Sequence, residues 1–147
     1  MAEQTIETRE IQHLNPESLH RSPAFSHAVR VPAGYDTVHV GGQNGTGPDG
    51  TLVGPGLGEQ TRQALENVRA CLREAGADLA DVVKWTILVA DGADIREGFA
   101  AAQQVLPRDA APPAITVAVV SGLAVPGSLV EIEAVAAVPP AAGRPAA

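Results

Sequence analysis

Apolar and polar positions follow two periods along this chain, one of about two residues and one of about 3.6. Residues 129–138, LVEIEAVAAV, alternate so that Val130, Ile132, Ala134 and Ala136 share one face while Glu131, Glu133 and Val135 share the other, which predicts a strand. Residues 115–120 form a β-branched apolar run, and the Pro and Gly of residues 123–128 break the ladder between these two strands. Residues 81–90, DVVKWTILVA, set Val83, Trp85, Ile87 and Val89 against Lys84, Thr86 and Leu88. Upstream, HAVRV, PAGYD and TVHVGGQ read as strand, turn and strand, a β-hairpin with Gly34 in its turn.

The longer period predicts a helix over residues 59–75. Leu65, Val68 and Leu72 recur at helical spacing with Ala64, Cys71 and Ala75 beside them, Arg62, Glu66, Arg69 and Arg73 face outward, and Gly76 stands where a C-terminal cap belongs. A second helix is predicted over residues 94–106. Asp94 caps its start, Glu97 completes a capping box, Ile95, Phe99, Ala102, Val105 and Leu106 make the buried stripe, and Pro107 ends it. The Gly- and Pro-dense residues 42–58 read as an extended loop. Before the hairpin, residues 5–11 are a candidate edge strand and Asn15-Pro16 a turn.

The resulting order is strand, strand, helix, strand, helix, strand, strand, with both helices on one face of a mixed sheet. Strands near Val83, Ile115 and Val130 are apolar or mixed on both faces, so the second face calls for cover. Another copy of the chain in a closed symmetric oligomer supplies it and leaves clefts between subunits.

Composition narrows the function classes. At 147 residues the chain suits a single domain, and with 3% aromatic residues its core must be filled by aliphatic side chains. A formal charge of -7 without a Lys/Arg cluster gives no footprint for nucleic acid. Cys71 is the single cysteine, which leaves no intrachain disulfide, and no apolar run reaches membrane-spanning length, so a cytoplasmic protein is expected. His13, His20, His27 and His39 follow no metal-ligand spacing, and His27 and His39 are expected to touch across paired strands. Ser26 and Ser121 lie in no nucleophile motif, and the glycines of residues 41–58 match no phosphate-binding fingerprint, so neither metal nor cofactor is expected. The tail PPAAGRPAA, residues 139–147, has the composition of a disordered segment.

Taken in order, FSHAVRV, TVHVGGQ, the segment EQTRQALENVRACLREAGADLADVVKWTILVAD, PPAITVAVV and VEIEAVA resemble the Rid family, also called YjgF/YER057c/UK114. The resemblance covers residues 25–138, which makes residues 1–24 an N-terminal extension. It implies an α+β, chorismate-mutase-like fold, a mixed sheet of about six strands with two helices on one face, assembled as a trimeric barrel with intersubunit clefts. The activity it implies is hydrolysis of enamines or imines. In the deaminating branch an arginine follows Pro-Ala and clamps a substrate carboxylate; here Pro113-Ala114 is followed by Ile115. Other pocket positions differ as well: Gly41-Gly42-Gln43 stands for Ser-Gly-Gln, Val117 for a cysteine, Phe25 for a tyrosine and Phe99 for an asparagine. Glu133 matches the family glutamate that positions water, with Glu131 beside it.

A strand glutamate is more commonly a solvated surface carboxylate, and the family position is what raises Glu133 to a catalytic candidate. Phe25, Ile115 and Val117 are then expected as an apolar wall beside it, with Gly41, Gly42, Gln43, Phe99 and Glu131 as further substrate-binding positions. Without a cation, a carboxylate in such a pocket is left unpaired, at a cost of several kcal/mol. Three readings stay open: an arginine-lacking Rid-type homotrimer that binds and hydrolyses a small metabolite, a catalytically silent ligand-binding or protein-interaction trimer, and an active 2-iminobutanoate/2-iminopropanoate deaminase in which Arg21, Arg30 or Arg108 replaces the missing group.

Overall fold

The computed structural model describes residues 10–140. The edge strand expected over residues 5–11 falls almost wholly outside them, as does most of the 139–147 tail. The first described strand is β1 (Gln12–Leu14), followed by β2 (Ala28–Arg30), β3 (Asp36–Gln43), α1 (Leu57–Glu74), β4 (Val82–Ala90), α2 (Ile95–Val105), β5 (Ala114–Val120) and β6 (Val130–Val138). A mixed four-stranded sheet has the order β3-β6-β4-β5, and β1 and β2 form a separate ribbon. In the sheet β6 runs antiparallel to both β3 and β4, while β4 and β5 are parallel and joined through α2.

The expected hairpin between β2 and β3 does not form. Gly34 turns the chain with φ +94°, but β2 pairs antiparallel with β1, Val29 opposite His13. A three-residue strand has few ladder bonds to commit, and the chain before it offers a second partner of equal length. The ribbon is tied to the sheet by Ser26, a buried side chain whose hydroxyl donates to the Pro112 carbonyl, and His13 Nδ1 lies 3.0 Å from the same oxygen.

Both helices lie on one face, as the alternation requires. Leu57, Leu65, Val68 and Leu72 of α1 pack against Val40, Trp85, Val89, Val130, Ile132, Ala134 and Ala136 of the sheet. Each such Leu contributes on the order of 1.5–3 kcal/mol through burial. α1 ends as expected: Gly76 adopts φ +74°, and the Ala77 amide donates to the Leu72 carbonyl at 2.9 Å. Cys71, expected beside the apolar stripe, is exposed instead.

α2 corrects two expectations. Ile95 and Phe99 are 45% and 56% exposed, and Gly98 and Ala101 are the buried positions. The reason is close helix packing, since a Cβ at Gly98 would stand 3.1 Å from Leu57 Cδ2, so the small residues face α1 and the large ones are turned aside. Asp94 does cap the helix, accepting from the Arg96 amide at 3.1 Å. Glu97 completes no capping box with it and reaches across to accept from the Gly58 amide in the first turn of α1 at 3.3 Å. β4 carries a register irregularity between Val82 and Lys84, which places Val82 in the core where strict alternation would place Val83.

The glycine-rich segment after β3 is held from three sides. Asn67 donates to the carbonyls of Asn44 (3.0 Å) and Thr46 (2.9 Å), Asn44 donates to the Val130 carbonyl at 3.0 Å, and the fully buried Gln60 donates to Gly54 O at 2.8 Å while accepting from the Leu129 amide at 2.8 Å. Polar side chains on α1 thus fix the loop that leads away from β3.

Candidate functional site

The candidate residues fall on two opposite faces of the sheet. Parallel pairing sets Ile115 beside Trp85 and Val117 beside Ile87, so these side chains share the face that the helices cover. Antiparallel pairing sets Glu133 beside Thr86 and Glu131 beside Leu88, on the helix-free face. Glu133 and the wall expected from Phe25, Ile115 and Val117 therefore do not meet within one chain. A period of two fixes alternation along each strand, but only the register between strands fixes which alternating sets coincide.

On the helix side, a cavity of about 810 Å³ opens between α2, the edge strand β5 and the segment leading into it. Phe25, Trp85, Ile87, Phe99, Ile115 and Val117 line it, and Arg108 is exposed on its rim. Phe25 meets His20 and His27 edge-on, with ring centroids at 6.0 and 5.3 Å. His27 accordingly packs on His20 and Phe25, and the expected contact with His39 is replaced by this one. Arg21 and Arg30 are exposed and line neither cavity.

On the helix-free face, a depression of about 220 Å³ is lined by His39, Gly41, Lys84, Thr86, Glu133 and Val135. The β3–β6 register shifts between Val40 and Gln43, so Gly41 and Gly42 together oppose Glu133 in a bulge. Gly42 lies under Glu131, whose Cδ and Cγ would be 2.8 and 2.9 Å from any Cβ built there. Gln43 turns back to its own strand, donating to the Gly41 carbonyl at 3.2 Å.

Sequence reasoning missed His39, Lys84 and Thr86 as companions of Glu133. Their alternation placed Lys84 and Thr86 on the polar side of β4, which was the available signal. Glu133 is exposed and, among the described residues, has no hydrogen-bond or ion-pair partner; Lys84 Nζ donates to Thr116 Oγ1 and has no carboxylate of a described residue within 4.0 Å. No group of three or more His, Cys, Asp or Glu suited to a metal occurs among the described residues, and none of their helices is long and apolar enough to cross a membrane. What the depression offers is a carboxylate, an ammonium, a hydroxyl and an imidazole around a small hollow that Val40, Ala134 and Val135 also line.

Comparison with known proteins gives the chain its relatives. A 2-iminobutanoate/2-iminopropanoate deaminase of Rattus norvegicus is 45% identical over 69 residues, which cover 46% of this chain and 48% of that protein. The chain thus spans about half the length of the curated relatives it matches. Among solved structures, the Rid-family protein YyfB from Yersinia pestis, described as of unknown function, is 37% identical with a TM-score of 0.76, covering 86% of this chain and 97% of that one. TdcF of E. coli with bound serine is 29% identical with a TM-score of 0.63, covering 72% and 83%. The family model described as Endoribonuclease L-PSP matches residues 16–138, and the chain belongs to that family, the Rid or YjgF family.

Proposed function

We propose that this chain binds a small metabolite bearing an enamine or imine and hydrolyses it on the helix-free face, with Glu133 orienting the attacking water. The observation that carries the reading is the unpaired Glu133 carboxylate opposite the Gly41–Gly42 bulge, at a hollow large enough for a small ligand. The carboxylate accepts a water proton as the water oxygen bonds to the carbon that bears nitrogen, and the C=N π pair moves onto the nitrogen, which takes up a proton from solvent. The Glu133 carboxyl then returns its proton to the carbinolamine nitrogen, the C–N bond breaks with its electron pair leaving as ammonia, and the hydroxyl proton is lost to solvent as the carbonyl forms. Relatives named as 2-iminobutanoate/2-iminopropanoate deaminases support this chemistry, and a relative with bound serine supports a ligand of this size.

The proposal includes a homotrimer with ligand clefts between subunits. Phe99, Val117 and Val119 are 56%, 48% and 61% exposed, and association would remove that apolar surface from water. Light scattering tests the assembly, and a monomer would refute it. Activity is tested by generating 2-iminobutanoate in situ with an amino-acid dehydratase and following its conversion, with wild type accelerating loss of the imine and Glu133→Ala failing to do so.

A silent binding protein is the second reading. The apolar character of the larger cavity, where Ile115 and Val117 replace polar family residues, favours it. Absence of turnover together with thermal stabilisation by apolar probes would select it.

A further inference from the structure

We propose that the helix-side cavity is a binding site for an uncharged aromatic or alicyclic compound of one or two rings that carries a hydrogen-bond acceptor such as a carbonyl, and that the indole N–H of Trp85 anchors that acceptor. The proposal gives the apolar-binding reading of this cavity a ligand class, and it rests on that reading. It does not depend on Glu133, which lies on the other face of the sheet.

The cavity exists because the crossover helix leaves its own strands. α2 joins β4 to β5, and such a helix ordinarily packs back on the sheet it connects. Here α2 is drawn onto α1 through Gly98 and Ala101, and its contact with β4 and β5 is slight. About 810 Å³ is left between them, within the size range of small-molecule sites. The wall at Phe25 is held in place. The Ser26 amide donates to the Pro113 carbonyl at 3.0 Å and its hydroxyl to the Pro112 carbonyl, while His20 and His27 meet Phe25 edge-on.

The lining sets what fits. The chain has one Trp, one Tyr and two Phe, and the Trp and both Phe line this cavity. In a protein with so few rings, three gathered at one hollow offer edge and face contacts to a flat ligand. No Asp or Glu lines it, and its one charged residue, Arg108, is exposed at the rim, so a charged ligand would lose hydration inside without a partner. Trp85 is 2% exposed, and its indole N–H has no hydrogen-bond partner among the described residues. That nitrogen is not sealed among side chains, so a partner reaches it from the cavity that Trp85 lines. Buried indoles ordinarily have an acceptor. A donor left without one on an otherwise apolar floor selects a neutral ligand with a lone pair over a hydrocarbon of the same shape.

Trp85 is the single tryptophan, so its indole N–H gives one signal in the magnetic resonance spectrum of nitrogen-labelled protein. α-Tetralone, its carbonyl-free counterpart tetralin and the anion α-naphthoate are titrated into the full chain, followed by calorimetry and by this signal. α-Tetralone is expected to bind and move the signal downfield, tetralin to bind without that shift, and α-naphthoate to bind more weakly than α-tetralone by about tenfold or more. Trp85→Phe, which keeps a ring and removes the donor, is expected to weaken α-tetralone about five- to tenfold and tetralin by less than about twofold. Ala102→Phe, which fills the cavity from α2, is expected to weaken both by about tenfold. Thermal unfolding checks the fold of each variant, and the indole signal, read in wild type, keeps the assignment testable if Trp85→Phe does not fold. An indole signal unmoved by bound α-tetralone, or equal losses of α-tetralone and tetralin in Trp85→Phe, would overturn the anchor while leaving an apolar binding site. Tighter binding of α-naphthoate than of α-tetralone would overturn the ligand class. Unchanged binding in Ala102→Phe, or no binding of either neutral probe by wild type, would remove the site and the apolar-binding reading with it.

Discussion

The Glu131 side chain lies directly over the α-carbon of Gly42, so no side chain can be added at Gly42 unless that carboxylate moves. The contact is with a flexible side chain, and Gly42 has no positive φ to protect. Gly42→Ala is therefore expected to cost less than about 1 kcal/mol while displacing Glu131 and disturbing the neighbouring bulge. Gly45 is different, because a Cβ there would stand 2.5 Å from the Gln60 α-carbon. Gly45→Ala is expected to destabilise by about 1–3 kcal/mol or more, since backbone must shift. Urea titration of the two variants checks the difference.

Gln60 joins α1, the glycine-rich loop and the start of β6 through one buried amide. Gln60→Leu leaves the Leu129 amide and the Gly54 carbonyl without their partner, and a loss of about 2–4 kcal/mol is expected. Loop protection in hydrogen exchange should fall with it; unchanged protection near Gly54 would show that the amide is not what holds the loop.

Thr61 makes the opposite case. Its hydroxyl is buried between α1 and α2, close to Gly98, and has no hydrogen-bond partner among the described residues. Thr61→Val keeps the shape and removes the unsatisfied oxygen, so the unfolding midpoint is expected to hold or rise. A drop of several degrees would mean that the hydroxyl is satisfied in solution.

Asp78 caps the single helical turn over Leu79–Asp81. The hydrogen bond from the Leu79 amide, aided by Arg73 and Arg69, holds its carboxyl below the ordinary value of 3.8. A lowered folded-state pKa means that this stabilisation is complete above the ordinary aspartate range and is lost as pH falls through the lowered value. Thermal midpoints from about pH 6 down to about pH 2 should fall less steeply for Asp78→Asn than for wild type.

Glu133→Ala is expected to lower turnover of an imine substrate by about 10²–10⁴-fold. Its stability should stay within about 0.5 kcal/mol of wild type, because the exposed carboxylate has no partner to lose among the described residues. Stopped assays with in situ imine and a parallel denaturant titration separate the two effects. Full activity in the variant would remove Glu133 from the mechanism.

The sequence by itself determined the elements that depend on neighbours along the chain. Both helices, the Gly76 cap, the Asp94 cap and the faces of β6 follow from periodicity and short-range hydrogen bonding, which act within a few residues. The family resemblance was legible for the same reason, since it is a string of such segments in order. Tertiary structure decided what depends on partners distant in sequence. It chose β1 over β3 as the neighbour of β2, and it let Gly98 and Ala101 rather than Ile95 and Phe99 face α1. Above all it set the register that brings Lys84, Thr86 and Glu133 to one hollow and sends Ile115 and Val117 to the other face. Alternation gives every strand two faces; hydrogen-bonded register and packing against α1 decide which of those faces become one site.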